Sequence, residues 1–208
     1  MSISIFFSYS HEDEALRDKV AKHLSALKRS NVIQEWHDRL IPAGSEWKDE
    51  IDRNLRTADI ILLLVSASFL SSDYCWSEEL AIAMARHEKN EACVIPIILR
   101  PCDWQETPFV ELQVLPKDGK AVTLWSNEDE ALTNVAQGIR GTVNQVVEQK
   151  QKKELPFEKG IDYAPLRDML KAGKWQEADR ETWRLLCLVM GRRKEDDLRR
   201  EDIQKLLC

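Results

Sequence analysis

No apolar run in this 208-residue chain is longer than that of Ile60 to Val65, far short of the roughly 18 residues a membrane span requires. No basic-then-apolar leader precedes Ser8. Basic residues are outnumbered, and the formal charge of −6 leaves no net basic footprint for a nucleic-acid backbone. The five cysteines (Cys75, Cys93, Cys102, Cys187 and Cys208) form no CxxC pair and no zinc-ligand spacing. They read as reduced thiols of a cytoplasmic protein, with Cys93 and Cys187 buried inside apolar runs. There is no GxGxxG and no Walker loop, so a dinucleotide would not bind in the Rossmann manner. Internal repeats are also lacking. These absences argue against a metal centre built on cysteines, a membrane span and a nucleic-acid partner, although a local basic face is compatible with them.

What remains is a chain with 43% apolar and 32% charged residues, the balance of a folded globular protein. Its length suits one ordinary domain and a smaller second unit. Ile3 to Phe7 is a β-branched and aromatic strand that breaks at Ser8-Tyr9-Ser10-His11. Leu16, Val20, Leu24 and Leu27 then recur at helical spacing. Val32 to Trp36 is a weaker strand, and His37 to Ser45 is a loop with Pro42 and Gly44. Trp47, Ile51 and Leu55 mark a second helix. Ile60 to Val65 is apolar on both faces, as a covered parallel strand must be. A helix over about Cys75 to Glu88 leads to a strand at Cys93 to Leu99, where Pro96 implies a sheet edge or a bulge. Ala121 to Leu124 is a candidate fifth strand. Ser126 with Asp129 resembles a capping box for a helix carrying Leu132, Val135, Ile139, Val143 and Val146.

Strands alternating with helices predict a doubly wound parallel α/β sheet over residues 1–147. Right-handed crossovers place Ser8–His11, His37–Ser45, Ser66–Tyr74 and Arg100–Trp104 on one rim, at the carboxyl ends of the strands. Residues 148–160 are polar and read as a linker, or equally as the frayed end of the preceding helix. Residues 161–208 form a short all-α segment with a stop at Gly173.

Five blocks in order resemble the Toll/interleukin-receptor (TIR) domain family. Ile5-Phe6-Phe7-Ser8-Tyr9-Ser10 is similar to its first box. Trp36-His37-Asp38 through Pro42-Ala43-Gly44-Ser45-Glu46-Trp47 is similar to its second-box loop. Ser66 through Leu80, with Ser71-Ser72-Asp73-Tyr74-Cys75 ahead of two glutamates, resembles the segment that carries the family's key glutamate. Arg100 to Trp104 and Leu115 to Lys120 resemble later blocks of bacterial members. The resemblance implies a flavodoxin-like fold with a five-stranded sheet. Leu166, Leu170, Gly173-Lys174-Trp175, Ala178-Asp179, Glu181-Thr182 and Ile203 to Cys208 resemble the start of the genomes-uncoupled-four family of tetrapyrrole-binding regulators. That match stops before the family's porphyrin-binding part, which argues against tetrapyrrole binding by this segment and suggests a piece of a longer protein. The pairing of the two segments points to a bacterial, photosynthetic (cyanobacterial) source.

Many TIR domains cleave NAD⁺ to nicotinamide and ADP-ribose or a cyclic variant, so the resemblance implies NAD⁺ as substrate, no cofactor, and activation by self-association. The chemistry asks for little: nicotinamide leaves as a neutral molecule, and one carboxylate beside an oxocarbenium-like ribose suffices. Glu78 and Glu79 both qualify by type. At about 100° per residue, Trp76, Leu80, Ala83 and Met84 share the face that meets the sheet. Glu78 falls opposite that face and Glu79 on its flank, roughly 85° from its centre. Glu79 is therefore the expected catalytic residue, in agreement with the family pattern of a glutamate just before an apolar residue. On this reading its replacement by alanine or glutamine shifts the melting temperature by no more than about a degree.

Tyr9 and Ser10 match nucleotide-contacting positions of the family, or serve ordinary turn chemistry. Asp38 and Gly44 lie in the second-box loop, Gly44 as a positive-φ turn residue or as a contact. Trp47 would stack on a substrate ring or pack in a core or interface, and Trp36 and Trp76 share that ambiguity. His11, His37 and His87 have no partner carboxylate that sequence can place. Cys75 has no histidine in register to activate it, so a cysteine nucleophile is rejected. Against the hydrolase stands a non-catalytic TIR–TIR module acting through the Asp38–Trp47 loop, coupled or not to tetrapyrrole sensing.

Overall fold

A computed structural model describes residues 2–42, 44, 46–153 and 162–189. Strands β1 (Ile3–Ser8), β2 (Ile33–Trp36), β3 (Ile60–Val65) and β4 (Cys93–Ile98) form a parallel sheet in the order β2-β1-β3-β4. Register pairs Ile3 with Ile33, Ile5 with Ile60, and Ile60 with Cys93. Every residue of β3 is buried, which explains why its sequence is apolar without alternation. Pro96, which lacks a ladder donor, sits on the terminal strand β4.

The two faces carry separate cores. One joins Ile5, Phe7, Leu62, Leu64 and Ile97 to Val20 and Leu24 around α1 (Glu14–His23) and to Leu132, Val135, Ile139 and Val143 of α6 (Glu128–Lys153). The other joins Phe6, Ile61, Leu63 and Val65 to Ile51 and Leu55 of α3 (Trp47–Thr57), Phe69 of α4 (Ala67–Ser71), and Leu80 and Ala83 of α5 (Leu80–Glu88). A short helix α2 (Ser25–Arg29) completes the first crossover. After β1 the chain goes to one neighbour, β2, and then to the other, β3. That reversal opens a crevice at the carboxyl end of β1.

The expected fifth strand is not one. Val122–Leu124 is a 3₁₀ turn, tied to the sheet by the Thr123 N–H donating to the Leu99 carbonyl at 3.1 Å. Leu115 contributes an isolated parallel bridge to Ile97 beside β4. Apolar spacing over four residues fits a turn as well as a strand, and here the turn prevailed. The cap of α6 is also displaced by one: the Asn127 side chain accepts from the Asp129 N–H at 3.0 Å, so Asn127 rather than Ser126 begins the helix.

Contacts divide the chain into Met1–Val147 and Glu148–Cys208. In the second unit α7 (Ala164–Lys171) and α8 (Trp175–Val189) form a hairpin whose turn passes through Gly173 at φ +68°. Glycine accepts that conformation without the Cβ clash of other residues. Ala178, Leu185 and Cys187 are buried there. The polar stretch expected as a linker is helical through Lys153. Residues 154–160 of the linker and the closing Ile203–Cys208 block lie outside the described residues. Among the described residues no helix is long and apolar enough to cross a membrane.

Candidate active site

The crevice at the carboxyl end of β1 is a cleft of about 320 Å³. Phe6, Phe7, Tyr9 and Ser10 reach it from β1 and the turn beyond. Trp36 and Asp38 come from the end of β2, Trp47 and Ile51 from α3, and Tyr74, Cys75 and Glu79 from the segment before α5. Of the residues selected from sequence, Glu79, Tyr9, Ser10, Asp38 and Trp47 therefore converge. Trp76 and Gly44 do not line the cleft. Gly44 has φ +92° and open space around it, the signature of a turn residue.

Glu79 closes a local departure from α geometry. Cys75–Glu79 is a π-helical turn, with the Leu80 N–H bonded to the Cys75 carbonyl five residues back. In a regular α-helix Trp76 would stand one turn before Leu80 on the core face. The wider turn puts Cys75 there instead, 5% exposed, and leaves Trp76 38% exposed. Trp76 is thus not a core residue, contrary to the sequence expectation. Glu79 lies deeper than the flank predicted for it: it is only 6% exposed.

In that pocket the Ser8 hydroxyl donates a hydrogen bond to Glu79 Oε2. Burial is the main cause that pushes the Glu79 carboxyl up to about 7; the Ser8 bond opposes the rise, and the charges of Asp38 and Glu78 add to it. Burial also raises the neighbouring Cys75 thiol to about 11, with the Glu79 charge adding to it. Its Sγ contacts the Tyr9 carbonyl at 3.5 Å. A buried thiol so reluctant to ionise is no nucleophile.

The opposite wall is built by the loop after β2. Tyr9 donates its hydroxyl to Asp38 Oδ1, and burial first, then that bond, raises the Tyr9 phenol well above its ordinary value. His11 Nδ1 lies 3.5 Å from Asp38 Oδ2, so this histidine does have a carboxylate partner. The buried Arg17 guanidinium sits 4.9 Å from the Tyr9 ring centroid. Arg39 grips Glu14 through two hydrogen bonds of 2.8 and 2.7 Å, fixing the same loop to α1. His37 is half-buried, and burial lowers its pKa. His87 accepts the Val94 N–H at 3.3 Å and does not line the cleft.

Aromatic rings complete the lining. Trp47 and Tyr74 have centroids 4.8 Å apart, and Trp36 stacks on Phe6 at 5.2 Å. Trp47 is 43% exposed, which rules out the core role and leaves a half-open ring beside the glutamate. Behind the rim, Asp13, 1% exposed, receives the Ser66 hydroxyl and pairs with Arg100 Nε at 2.7 Å. This brace ties the turn after β1 to the ends of β3 and β4. The sequence sets Ser8, Tyr74 and His11 on the rim but gives none of them a partner. Their contacts span 71 residues in the Ser8–Glu79 case, and no periodicity reports such a pairing.

The family model described as "TIR domain" matches residues 5–137, and one described as "GUN4-like" matches residues 156–208. An uncharacterized protein of Sinorhizobium fredii (strain NBRC 101917 / NGR234), y4lF, is 54% identical over 143 residues, covering 69% of this chain and 44% of that protein. The chain thus spans less than half the length of that relative. The TIR domains of the activated Roq1 resistosome that directly recognizes the pathogen effector XopQ match 73% of this chain and 99% of their own. The TM-score is 0.41 and the identity 21%.

Proposed function

The chain belongs to the TIR domain family, and from that premise we propose that residues 1–147 cleave NAD⁺ to nicotinamide and ADP-ribose or cyclic ADP-ribose, with Glu79 as the catalytic residue. The observation that carries this reading is a buried glutamate opening on an aromatic-lined cleft at the carboxyl end of a parallel sheet.

The bond from ribose C1′ to the nicotinamide nitrogen breaks with its electron pair going to the ring. In hydrolysis water adds its oxygen at C1′, in cyclisation a nucleophilic atom of the adenosine half bonds to C1′ instead, and either way one proton is released. Glu79 balances the positive charge that develops on the ribose and accepts hydrogen bonds from its hydroxyls. A carboxyl with a pKa of about 7 is half ionised in the empty cleft at neutral pH, and the cationic nicotinamide ring favours the ionised form as it enters. Trp47 and Tyr74 offer faces for a flat heterocycle.

Glu12, Asp38 and Glu79 line the cleft, and His11 is its sole basic side chain among the described residues. The diphosphate of NAD⁺ needs positive groups that one copy does not present there. Leu40, 51% exposed, and Trp47 offer apolar contact for a second copy from the same loop region. This supports activity that depends on self-association. The same exposed loop favours the second reading, a TIR–TIR interaction module without turnover.

The test is nicotinamide release from NAD⁺, followed by chromatography at high protein concentration with and without a crowding agent. Release that disappears in Glu79→Ala is the expected result. No release under any assembling condition would transfer the function to the interaction module.

A further inference from the structure

Ser8 ends β1 on the sheet's second strand from the edge and is 1% exposed, with its hydroxyl turned onto Glu79 Oε2. Neither the hydrophobic core nor the turn that follows asks for a hydroxyl at this position. An alanine or valine would extend the apolar run Ile5-Phe6-Phe7. The polar atom is placed where a lone buried carboxylate needs a donor. We propose that Ser8 is a positioning residue: its hydroxyl fixes the orientation of the Glu79 carboxylate toward the cleft and favours its ionised form. The activity arm of this proposal rests on the NAD⁺ reading; the structural arm does not.

The surroundings of Glu79 make that donor decisive. Asp38 faces it from the loop after β2, and Glu78 adjoins it on the same turn; both oppose its ionisation. Glu12 and His11 stand on the wall beyond β1. On the α3 side, a second cavity of about 160 Å³ shares Glu79 and brings Lys48, Asp49 and Asp52 to its rim. Lys48 is engaged with Glu78 at 2.8 Å. Tyr74 and Cys75 are neutral neighbours, both with raised pKa values. Among the described residues Ser8 is thus the one hydrogen-bond donor to Glu79, set against burial and two acidic neighbours.

The direct test is a pH titration of the full chain carrying ¹³C-carboxyl glutamate, read by NMR, with Glu79→Gln to assign the resonance. Ser8→Ala should move the Glu79 midpoint upward by about one pH unit, the size expected for one hydrogen bond to a charged group. Ser8→Thr, which keeps the hydroxyl, should restore it. The acid limb of nicotinamide release should shift by the same amount, so that activity at a pH below the limb falls about tenfold in Ser8→Ala. An unmoved midpoint would overturn the proposal. So would a fall, because the hydroxyl would then be accepting from a protonated carboxyl. A midpoint that moves in a chain without turnover upholds the role of Ser8 while removing the hydrolase reading. Turnover with an unmoved limb in Ser8→Ala does the reverse.

Discussion

Glu79→Gln should make the protein more stable at alkaline pH. In the fold the Glu79 carboxyl ionises near 7, against an ordinary value of 4.5. The folded state therefore holds this proton more tightly than the unfolded chain. The stability it contributes is complete below pH 4.5 and is lost as pH rises through 7. At roughly 1.4 kcal/mol per pH unit, the loss approaches about 3 kcal/mol by pH 8. Glutamine never ionises and keeps a carbonyl oxygen for the Ser8 hydroxyl. The advantage of the variant over the native chain should therefore widen by about 2–3 kcal/mol between pH 5 and pH 8. For a unit of this size that corresponds to about 5–10 °C in melting temperature. Thermal unfolding followed by circular dichroism at the two pH values, in one salt concentration, reads the effect. All other titrating groups are common to both proteins and cancel. A gap of the same size at both pH values would refute the reasoning, and a gap that narrows would mean that the fold stabilises the ionised glutamate. The surface-like replacement anticipated from sequence, with its shift of about a degree, belonged to a flanking residue; at 6% exposure Glu79 is an interior one.

Two further outcomes follow. Asp38→Asn removes an anion whose field opposes ionisation of Glu79, so the Glu79 midpoint should fall, and the acid limb of any turnover should move with it to lower pH; carboxyl NMR checks the direction. Leu63→Ala, in the middle of β3 where no side-chain surface reaches solvent, should lower stability by about 3–4 kcal/mol in a urea unfolding curve without changing which residues line the cleft.

Legibility in the sequence followed the range of the interactions. β3 announces itself because both of its faces are covered, so neighbouring residues along the strand all have to be apolar, and β1 does so through its apolar run Ile5-Phe6-Phe7. The terminal position of β4 was readable from Pro96, a residue with no N–H to offer a second neighbour. Ala121 to Leu124 misled because four apolar-rich residues are too few to fix a period. Glu79 was chosen correctly as the cleft-facing glutamate by an α-helical wheel, although the local turn is π, because it stands four residues before the buried Ala83 on a regular stretch. Trp76 was misjudged by the same wheel because it lies on the far side of the irregularity. The hydrogen bonds from Ser8 to Glu79 and from Tyr9 to Asp38 join distant segments, and only the folded sheet brings them together.

The π turn has a consequence for how this segment tolerates changes of length. It holds one residue more than an α-helix needs between Cys75 and Leu80. Deleting Trp76 would leave Cys75 four residues before Leu80 and three before Glu79, the spacing of an unbroken helix. The thiol would keep its seat over Leu80 and the carboxyl its place beside Ser8. The surplus is taken up as a bulge, and its product is an indole displaced onto the surface. A chain one residue shorter at this point would have the same cleft with a smoother exterior.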